Sequence, residues 1–318
     1  MKQITHSHGV VDQRSPIGRL IRRPDRPRDQ SPPPIWADPS QRGNHDLCVA
    51  DVDLGEAMPS VYDSERLAAS YAFDRPPVHQ QILKSVHLTR PVRRALDVGC
   101  GAGVSTAALA PLAECVIGLE PVPGMLVHRR SVAPSARFVI GAAERLPFAA
   151  ASFDLVAAAG SLNYTNLSSA LAEVARVLTS DGVFLLYDFS QGRYSLTGDA
   201  LAAWFTSFEQ RFPSPPGWRP LAVQELRLAG TGLRLLDYTD VEIPIPMTLG
   251  DYLRYVLGQV NVDSAIAGGN DRAEQARDWC HHTLAEVFRS GEVTVIFRGY
   301  LATLSRSGIT GLGMDLRY

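Results

Sequence analysis

The chain has little cysteine and no long apolar run, and each shortage excludes a class of protein. Its four cysteines show neither C-x-x-C spacing nor a disulfide framework, which favours a reducing compartment: Cys48, Cys100, Cys115 and Cys280. No apolar run approaches the roughly 20 residues of a membrane span, and no apolar segment typical of a secretory signal is present. We therefore expect a cytoplasmic protein that does not enter a membrane.

Lysine is also scarce, because it occurs only at Lys2 and Lys84 among 31 lysines and arginines. This bias, together with abundant alanine, is typical of a GC-rich bacterial genome. The formal net charge of −2 gives no general argument for a nucleic-acid partner. The charge is uneven, since residues 1–30 hold seven basic and three acidic residues, a net +4, which leaves −6 for the remainder.

Residues 1–55 are predicted to form an arm outside the core. The stretch 23–34 is charged and rich in proline, which excludes a helix or a central strand. A basic arm can contact RNA or a neighbouring subunit, with Trp36 as an anchor for exchange between subunits. A solvated arm is the simpler interpretation, so nucleic acid is the less favoured partner and a homo-oligomer through the arm stays a hypothesis.

A glycine-rich turn is the most informative feature of the chain. Residues 95–103, ALDVGCGAG, end an apolar strand near Asp97 and lead into a helical run. A strand, a glycine turn and a helix N-terminus in this order form a place for a nucleotide-like ligand. The third glycine comes one residue early for a dinucleotide fingerprint, and Asp97 would repel a pyrophosphate. The turn therefore favours a ligand with a cationic amino group, S-adenosylmethionine.

A second acid supports this interpretation. Glu120 ends the next predicted strand, about 20 residues after the glycines, where a carboxylate can accept both hydroxyls of a ribose. Either acid alone would be an ordinary solvated loop carboxylate. The pair brackets the glycine turn, and that arrangement favours a cofactor site.

Strands and helices alternate along the middle of the chain. The pattern predicts strands at 92–98, 115–119, 136–140, 153–159 and 183–189, with helices at 104–112, 124–130 and 166–178. A turn at Asp181-Gly182 is expected to lead into the fifth strand. Continuous apolar strands joined by helices predict an α/β protein with a buried parallel sheet.

The flanking segments are more helical. Helices are predicted at 64–71 and 77–86 before the sheet, and at 201–212, 221–229, 249–260 and 272–289 after it, with a loop at 265–270. Strand six is predicted at 233–245 and strand seven at 291–304. A helical insertion between these two strands predicts a lid over the carboxyl edge of the sheet.

Four further segments continue the pattern that the glycine turn begins. They are Glu120-Pro121, GAAERLPF at 141–148, FDLV at 153–156, and AEVARVL at 172–178 with Asp181-Gly182 after it. In this order they resemble the class I S-adenosylmethionine-dependent methyltransferases, in the small-molecule branch with a ubiquinone/menaquinone-methyltransferase-like domain. The resemblance covers residues 62–190 well and 191–304 weakly.

The resemblance implies a Rossmann-like sheet of seven strands, with helices on both faces, strand seven antiparallel and a helical lid inserted between strands six and seven. The expected organisation is an arm at 1–55, N-terminal lid helices at 56–90, a methyltransferase domain at 91–246 and 291–304, a substrate lid at 247–290 and a tail at 305–318.

The resemblance also implies which residues hold S-adenosylmethionine. Asp97 and Gly99 would hold the methionine part and Glu120 would hold the ribose. Met125 and Ala143-Glu144 would border adenine. The full set of implied cofactor-binding residues is Tyr71, Arg75, Asp97, Gly99, Cys100, Gly101, Gly103, Glu120, Pro121, Met125, Ala143, Glu144, Gly160 and Ser161.

The chain departs from the family pattern at two places. Ala142 stands where relatives often have Asp, so an adenine contact is lost or comes from Glu144. Asn163-Tyr164 stands where many relatives have His-Trp, and a proton-handling role of that His does not transfer to Asn.

Candidates for the acceptor side come from strand ends and the lid. Asp188 lies near the end of strand five, and Tyr164 follows strand four, where it can stack on an acceptor or pack structurally. His281 and His282 can each supply a base near neutral pH, but adjacent residues face different sides of a helix. For the same reason they cannot form a metal site with Cys280, and we expect no metal. Tyr252 and Tyr255 share a helix face and indicate an aromatic wall for a flat or apolar acceptor.

Three functions stay open from the sequence. The favoured one is a methyltransferase that acts on a small molecule in specialised, natural-product metabolism, such as antibiotic biosynthesis. The second is an RNA methyltransferase that uses the basic arm. The third is a methyltransferase fold that binds the cofactor without transferring methyl groups, or that catalyses another reaction.

Overall fold

Five parallel strands form the centre of the fold. The computed structural model describes residues 60–214 and 221–307. The parallel strands are β1 (Val92–Val98), β2 (Ala113–Glu120), β3 (Arg137–Ile140), β4 (Phe153–Ala159) and β5 (Leu178–Phe189). They pair in the order β3-β2-β1-β4-β5. The predicted parallel sheet is thus confirmed, although β5 begins five residues before the predicted start. Asp181-Gly182, predicted as a turn, instead lies within β5, where the pairing with β4 shifts register.

Three more strands complete the sheet: β6 (Tyr194–Ser195), β7 (Leu233–Thr248) and β8 (Glu292–Arg306). The last strand runs antiparallel to both β5 and β7, and therefore lies between them. This arrangement matches the predicted strands six and seven. The strand β6, which pairs with β8, was not predicted, because a strand of two residues leaves no recognisable pattern in the sequence.

Nine helices surround the described part of the sheet. They are α1 (Glu65–Phe73), α2 (Val78–Lys84), α3 (Val104–Leu109), α4 (Arg129–Val132), α5 (Leu167–Val177), α6 (Ala200–Arg211), α7 (Leu249–Leu257), α8 (Val260–Ala267) and α9 (Ala273–Leu284). The central strands are covered on both faces. Leu155 and Leu185 join the main apolar cluster, and their neighbours Val156 and Leu186, which point the other way, are equally buried.

The helices α7 to α9, between β7 and β8, share one apolar core with the sheet. Tyr252 and Leu284 belong to the same cluster as strand residues of β8. Two predictions for this region are wrong. Residues 265–270 are not all loop, because α8 runs to Ala267, where buried Val262 anchors it. Residues 221–229 form only a short 3-10 turn, Val223–Glu225, because a segment of nine residues is too short to be a stable helix without extensive packing.

Several predictions concern residues outside the described ranges. The arm at 1–55, including Trp36, and the tail beyond residue 307 lie there. Within the described ranges, no helix has both the length and the apolar character needed to span a membrane.

Candidate functional site

A cleft of about 820 Å³ opens at the carboxyl ends of the parallel strands. The segments that follow β1, β2, β3, β4 and β5 form its floor, and residues of α1, α2, α7 and α8 line the opposite side. Ligands of open α/β sheets bind at this edge. The volume lies within the 300–1,000 Å³ range that is typical of small-molecule sites.

The glycine turn after β1 forms one wall of the cleft. Gly99, Gly101 and Gly103 have φ of 71°, 55° and 96°, a region that favours glycine. A Cβ on Gly99 would lie 2.3 Å from the Cβ of Ser161, so the ends of β1 and β4 approach each other closely. Gly103 does not line the cleft. It caps α3 and leaves room for the ring of Phe138.

Asp97 lies behind this turn and does not line the cleft. Its Oδ2 accepts hydrogen bonds from the hydroxyls of Ser105 (2.6 Å) and Thr106 (2.7 Å) in α3. Its Oδ1 is buried and has no partner among the described residues. Burial raises the pKa of Asp97 to about 6. The carboxylate therefore anchors the start of α3. Its contact with the cofactor stays a prediction, for which Oδ1 is the available oxygen.

Glu120, at the end of β2, lines the cleft. Its two carboxylate oxygens accept hydrogen bonds from the backbone N–H groups of Gly101 (2.9 Å) and Val122 (3.0 Å). Each oxygen keeps a second lone pair for a hydroxyl of a ligand. Burial raises the pKa of Glu120 to about 7.

The predicted adenine side lies beside Glu120. Met125, Ala143 and Glu144, which are predicted to border adenine, line it together with the cofactor-site residues Cys100 and Pro121. The pKa of the buried Cys100 thiol lies well above its ordinary value because of its burial. Glu144 accepts a hydrogen bond from the backbone of Asn166 through one oxygen (2.8 Å) and retains the other.

The guanidinium group of Arg75 also lines the cleft. The Cζ of Arg75 lies 3.7 Å from the ring centroid of Tyr71 and 5.3 Å from that of Tyr255. One nitrogen donates to the backbone oxygen of Gly258 (3.0 Å), while Nε is buried without a partner. Among the described residues, no carboxylate forms an ion pair with Arg75. A cation held between two rings without a counterion is suited to an anionic ligand group.

Asp188 lines the other end of the cleft, near the end of β5. Its Oδ2 accepts from the amide of Asn163 (2.9 Å), and its Oδ1 accepts from the backbone N–H of Phe189 (2.8 Å). A Cβ on Gly160 would lie 2.7 Å from Oδ1, so glycine makes room for this carboxylate. Burial raises the pKa of Asp188. The Asn163 amide thus orients the Asp188 carboxylate.

Two tyrosines meet at the rim of the cleft. The hydroxyls of Tyr62 and Tyr164 lie 2.6 Å apart, and their rings pack edge to face. Tyr62 also packs against Tyr71. Tyr164 is 48% exposed, so half of its ring is available to a ligand or to solvent.

The structure adds His79 to the site, a residue that the sequence analysis missed. It lies in the first turn of α2, lines the cleft, and its Nδ1 is 3.0 Å from the hydroxyl of the buried Tyr187. Burial, reinforced by the charge of Arg75, lowers the pKa of His79 to about 4. No local pattern marks this residue, because its partner stands 108 positions away.

The two lid histidines do not reach the cleft, which corrects the expectation that one of them supplies a base. His281 and His282 are exposed on α9, which packs against α6 and α7 behind the cleft. Tyr252 does not reach the cleft either. It is buried in the core, where its hydroxyl donates to the backbone oxygen of Gly192 (3.0 Å). Of the predicted aromatic pair, Tyr255 alone lines the cleft.

Comparisons with known proteins agree with this geometry. A methyltransferase domain family matches residues 96–186. An uncharacterized methyltransferase of Synechocystis is 33% identical over 147 residues, which cover 45% of this chain and 69% of the relative. The chain belongs to the S-adenosylmethionine-dependent methyltransferases. A demethylmenaquinone methyltransferase of Deinococcus radiodurans is 37% identical, but the match covers only 37% of this methyltransferase and 52% of the relative.

A solved structure shows the same fold. A structure named for a type II methyltransferase of Anaeromyxobacter dehalogenans has 19% sequence identity and a TM-score of 0.53, and covers 73% of this chain and 96% of its own. The family resemblance and the α/β methyltransferase fold expected from the sequence are therefore confirmed.

The residues of the cleft fit S-adenosylmethionine. Glu120 retains lone pairs for hydroxyls, and Arg75 has no carboxylate partner of its own among the described residues. At Gly101 a Cβ would meet only the methyl of Met125, at 3.6 Å, so a ligand can approach this backbone closely. A diol, a carboxylate and a flat base are thus each matched by a group in the cleft of this methyltransferase.

Proposed function

We propose that this methyltransferase transfers the methyl group of S-adenosylmethionine to a small, flat molecule that binds at the Asp188 end of the cleft. The observation that carries the proposal is the division of one cleft into two ends. The glycine turn and Glu120 mark one end, and Asp188 with Asn163 and Phe189 marks the other.

The cofactor end would hold each part of S-adenosylmethionine with a separate group. Glu120 would accept the ribose hydroxyls, Arg75 would bind the carboxylate of the methionine part, and Met125 would pack against adenine. When bound, the cofactor supplies a methyl group on a sulfonium, and the carbon–sulfur bond breaks with its electron pair going to sulfur.

The acceptor end supplies orientation and a base. Alignment and exclusion of water contribute roughly 7–11 kcal/mol to reactions of this kind. Asp188 would accept the proton that the acceptor loses as the new bond to carbon forms, and would release it to solvent afterwards. Its raised pKa makes it a stronger base than an exposed aspartate. Asn163 would keep the carboxylate aimed into the cleft.

The size and lining of the cleft support a small acceptor. Six tyrosine and phenylalanine residues line it, and its four carboxylates outnumber its two arginines, which suits a flat molecule better than a phosphate backbone. A relative named for demethylmenaquinone also supports a small-molecule acceptor. The role in natural-product metabolism and the cytoplasmic location stay predictions from the sequence, as does RNA binding by the arm.

Two measurements test the proposal. Calorimetry with S-adenosylhomocysteine should show one binding site per chain. Incubation with S-adenosylmethionine and a small-molecule extract of the source organism should give a product heavier by one methylene, as measured by mass spectrometry. The control variant Asp188→Asn should bind S-adenosylhomocysteine normally and form much less product. Cofactor binding without any methylated product would favour a binding protein over a methyltransferase.

A further inference from the structure

The acceptor end holds a polar group that the proposed function does not use, the imidazole of His79. The ring lies in the wall of the cleft, packed edge to face against Tyr187 and Phe189 at centroid distances of 5.7 and 5.1 Å. Three features define its state: the partner of Nδ1, the environment of Nε2 and the charge of the ring.

Nδ1 of His79 lies within hydrogen-bond distance of the Tyr187 hydroxyl, for which it is the only acceptor among the described residues. The side chain of Tyr187 is fully buried, and the only partner of its hydroxyl among the described residues is Nδ1 of His79. A buried hydroxyl that does not donate leaves a polar hydrogen unsatisfied, which is costly. Tyr187 therefore donates to Nδ1, and this assignment places the imidazole proton on Nε2.

Nε2 faces the cleft. This nitrogen forms no hydrogen bond with the described residues. It is not a buried atom, so a ligand in the cleft can reach it. Burial, and to a smaller extent the charge of Arg75, lowers the pKa of His79, so the ring is neutral at physiological pH. The cleft therefore contains a neutral N–H donor with a fixed direction.

The carboxylate of Asp188 lies on the next residue of β5 after Tyr187. Successive side chains of a strand point to opposite faces, so Tyr187 reaches His79 while Asp188 reaches Asn163. Both His79 and Asp188 line the acceptor end. The acceptor end thus contains a donor at His79 and a carboxylate at Asp188, and the donor matches an oxygen on an aromatic ring.

We infer that Nε2–H of His79, fixed in this tautomer by Tyr187, donates a hydrogen bond to an oxygen of the acceptor, which is a phenol-type aromatic molecule. This inference rests on the proposed function, since it assigns the acceptor class of the same site. A lone pair of the acceptor oxygen points to Nε2–H of His79. His79 thus selects and positions an oxygen-bearing ring.

The first test measures the tautomer directly. Nitrogen-15 NMR of the full chain, labelled in its eight histidines, resolves Nδ1 from Nε2, and His79→Phe identifies the signals of His79. The expected result is a neutral Nε2–H ring from pH 8 to pH 5. In Tyr187→Phe the preference for this tautomer should be lost. A proton on Nδ1 at pH 7, or a charged ring at pH 6, would overturn the inference.

The second test uses two probes of one shape, 1-naphthol and 1-methylnaphthalene, with protein saturated by S-adenosylhomocysteine. The wild type should bind 1-naphthol with a shift of the His79 Nε2 signal. His79→Phe should weaken 1-naphthol about three- to tenfold, the range of one neutral hydrogen bond, and leave 1-methylnaphthalene unchanged. His79→Gln, which keeps an N–H donor, should restore part of the difference.

Controls separate this inference from the proposed function. His79→Phe leaves the Tyr187 hydroxyl without a partner, so the double variant with Tyr187→Phe removes both groups and guards against a folding defect. Failure of the wild type to bind S-adenosylhomocysteine would refute the proposed function itself. Normal cofactor binding with equal loss of both probes, no response of His79 or no binding of 1-naphthol would refute only the inference about His79.

Discussion

The buried carboxylate of Glu120 predicts that cofactor affinity depends on pH. In the cofactor-free protein its pKa is raised to about 7, because burial opposes the charged form more strongly than two backbone N–H groups favour it. Ribose hydroxyls would donate to the ionised carboxylate and lower this pKa on binding. Protonation of Glu120 should therefore compete with the cofactor.

The magnitude follows from the two ionised fractions. With a pKa of about 7, roughly one tenth of the protein carries an ionised Glu120 at pH 6 and about nine tenths at pH 8. The affinity for S-adenosylhomocysteine should thus rise about tenfold across this range, with about 0.9 protons released per binding event at pH 6 and about 0.1 at pH 8.

Calorimetry in two buffers of different ionisation enthalpy measures both the affinity and the number of protons released. Glu120→Gln is the matched control, since it cannot ionise and should bind more weakly with a flat pH profile. An equal affinity at pH 6 and pH 8 in the wild type, or the same slope in the variant, would refute the assignment of Glu120 to the ribose.

The raised pKa of Glu120 also determines how the stability of the folded protein changes with pH. Because the folded pKa of Glu120 lies above the ordinary value of 4.5, the folded state binds more protons between pH 4.5 and 7. The contribution of this group to the free energy of unfolding should therefore fall as pH rises through that window, by up to about 3 kcal/mol. Asp97, with a pKa of about 6, acts in the same direction between pH 3.8 and 6.

Three further predictions concern separate parts of the site and fold. Gly99→Ala would place a Cβ 2.3 Å from Ser161 at a φ of 71°, and should lower the free energy of unfolding by at least about 2 kcal/mol in denaturant melts. Arg75→Met should weaken S-adenosylhomocysteine about tenfold or more in calorimetry, and an unchanged affinity would contradict its assignment to the cofactor carboxylate. Thr248→Ala removes the capping box with Asp251 at the start of α7, and should cost about 1 kcal/mol in the same melts without changing cofactor affinity.

Features written in consecutive residues could be predicted from the sequence. The strand 153–159 is apolar except for Asp154, and the structure gives it the same bounds. The glycine turn and Glu120 were also found, because a strand end, three glycines and an acid at a fixed distance have a local physical meaning. Their residues come together at one sheet edge without any long-range information.

Features that depend on distant contacts could not be predicted. His79 becomes a cleft donor only through Tyr187, 108 positions away, and Arg75 meets Tyr255 only after the last helices fold over the sheet. The sequence also does not show which face of a helix packs against the rest of the protein. His281 and His282 have ordinary helical neighbours, and only the packing of α9 against α6 and α7 shows that both face solvent.

The most direct test of methyl transfer is mass spectrometry with S-adenosylmethionine that carries a trideuterated methyl group. Wild-type protein incubated with a small-molecule extract of the source organism should yield a product that has gained the labelled methyl and an equal amount of S-adenosylhomocysteine. Glu120→Gln should yield less of both. Saturation with the cofactor and no labelled product in any fraction would contradict the assignment of a small-molecule acceptor.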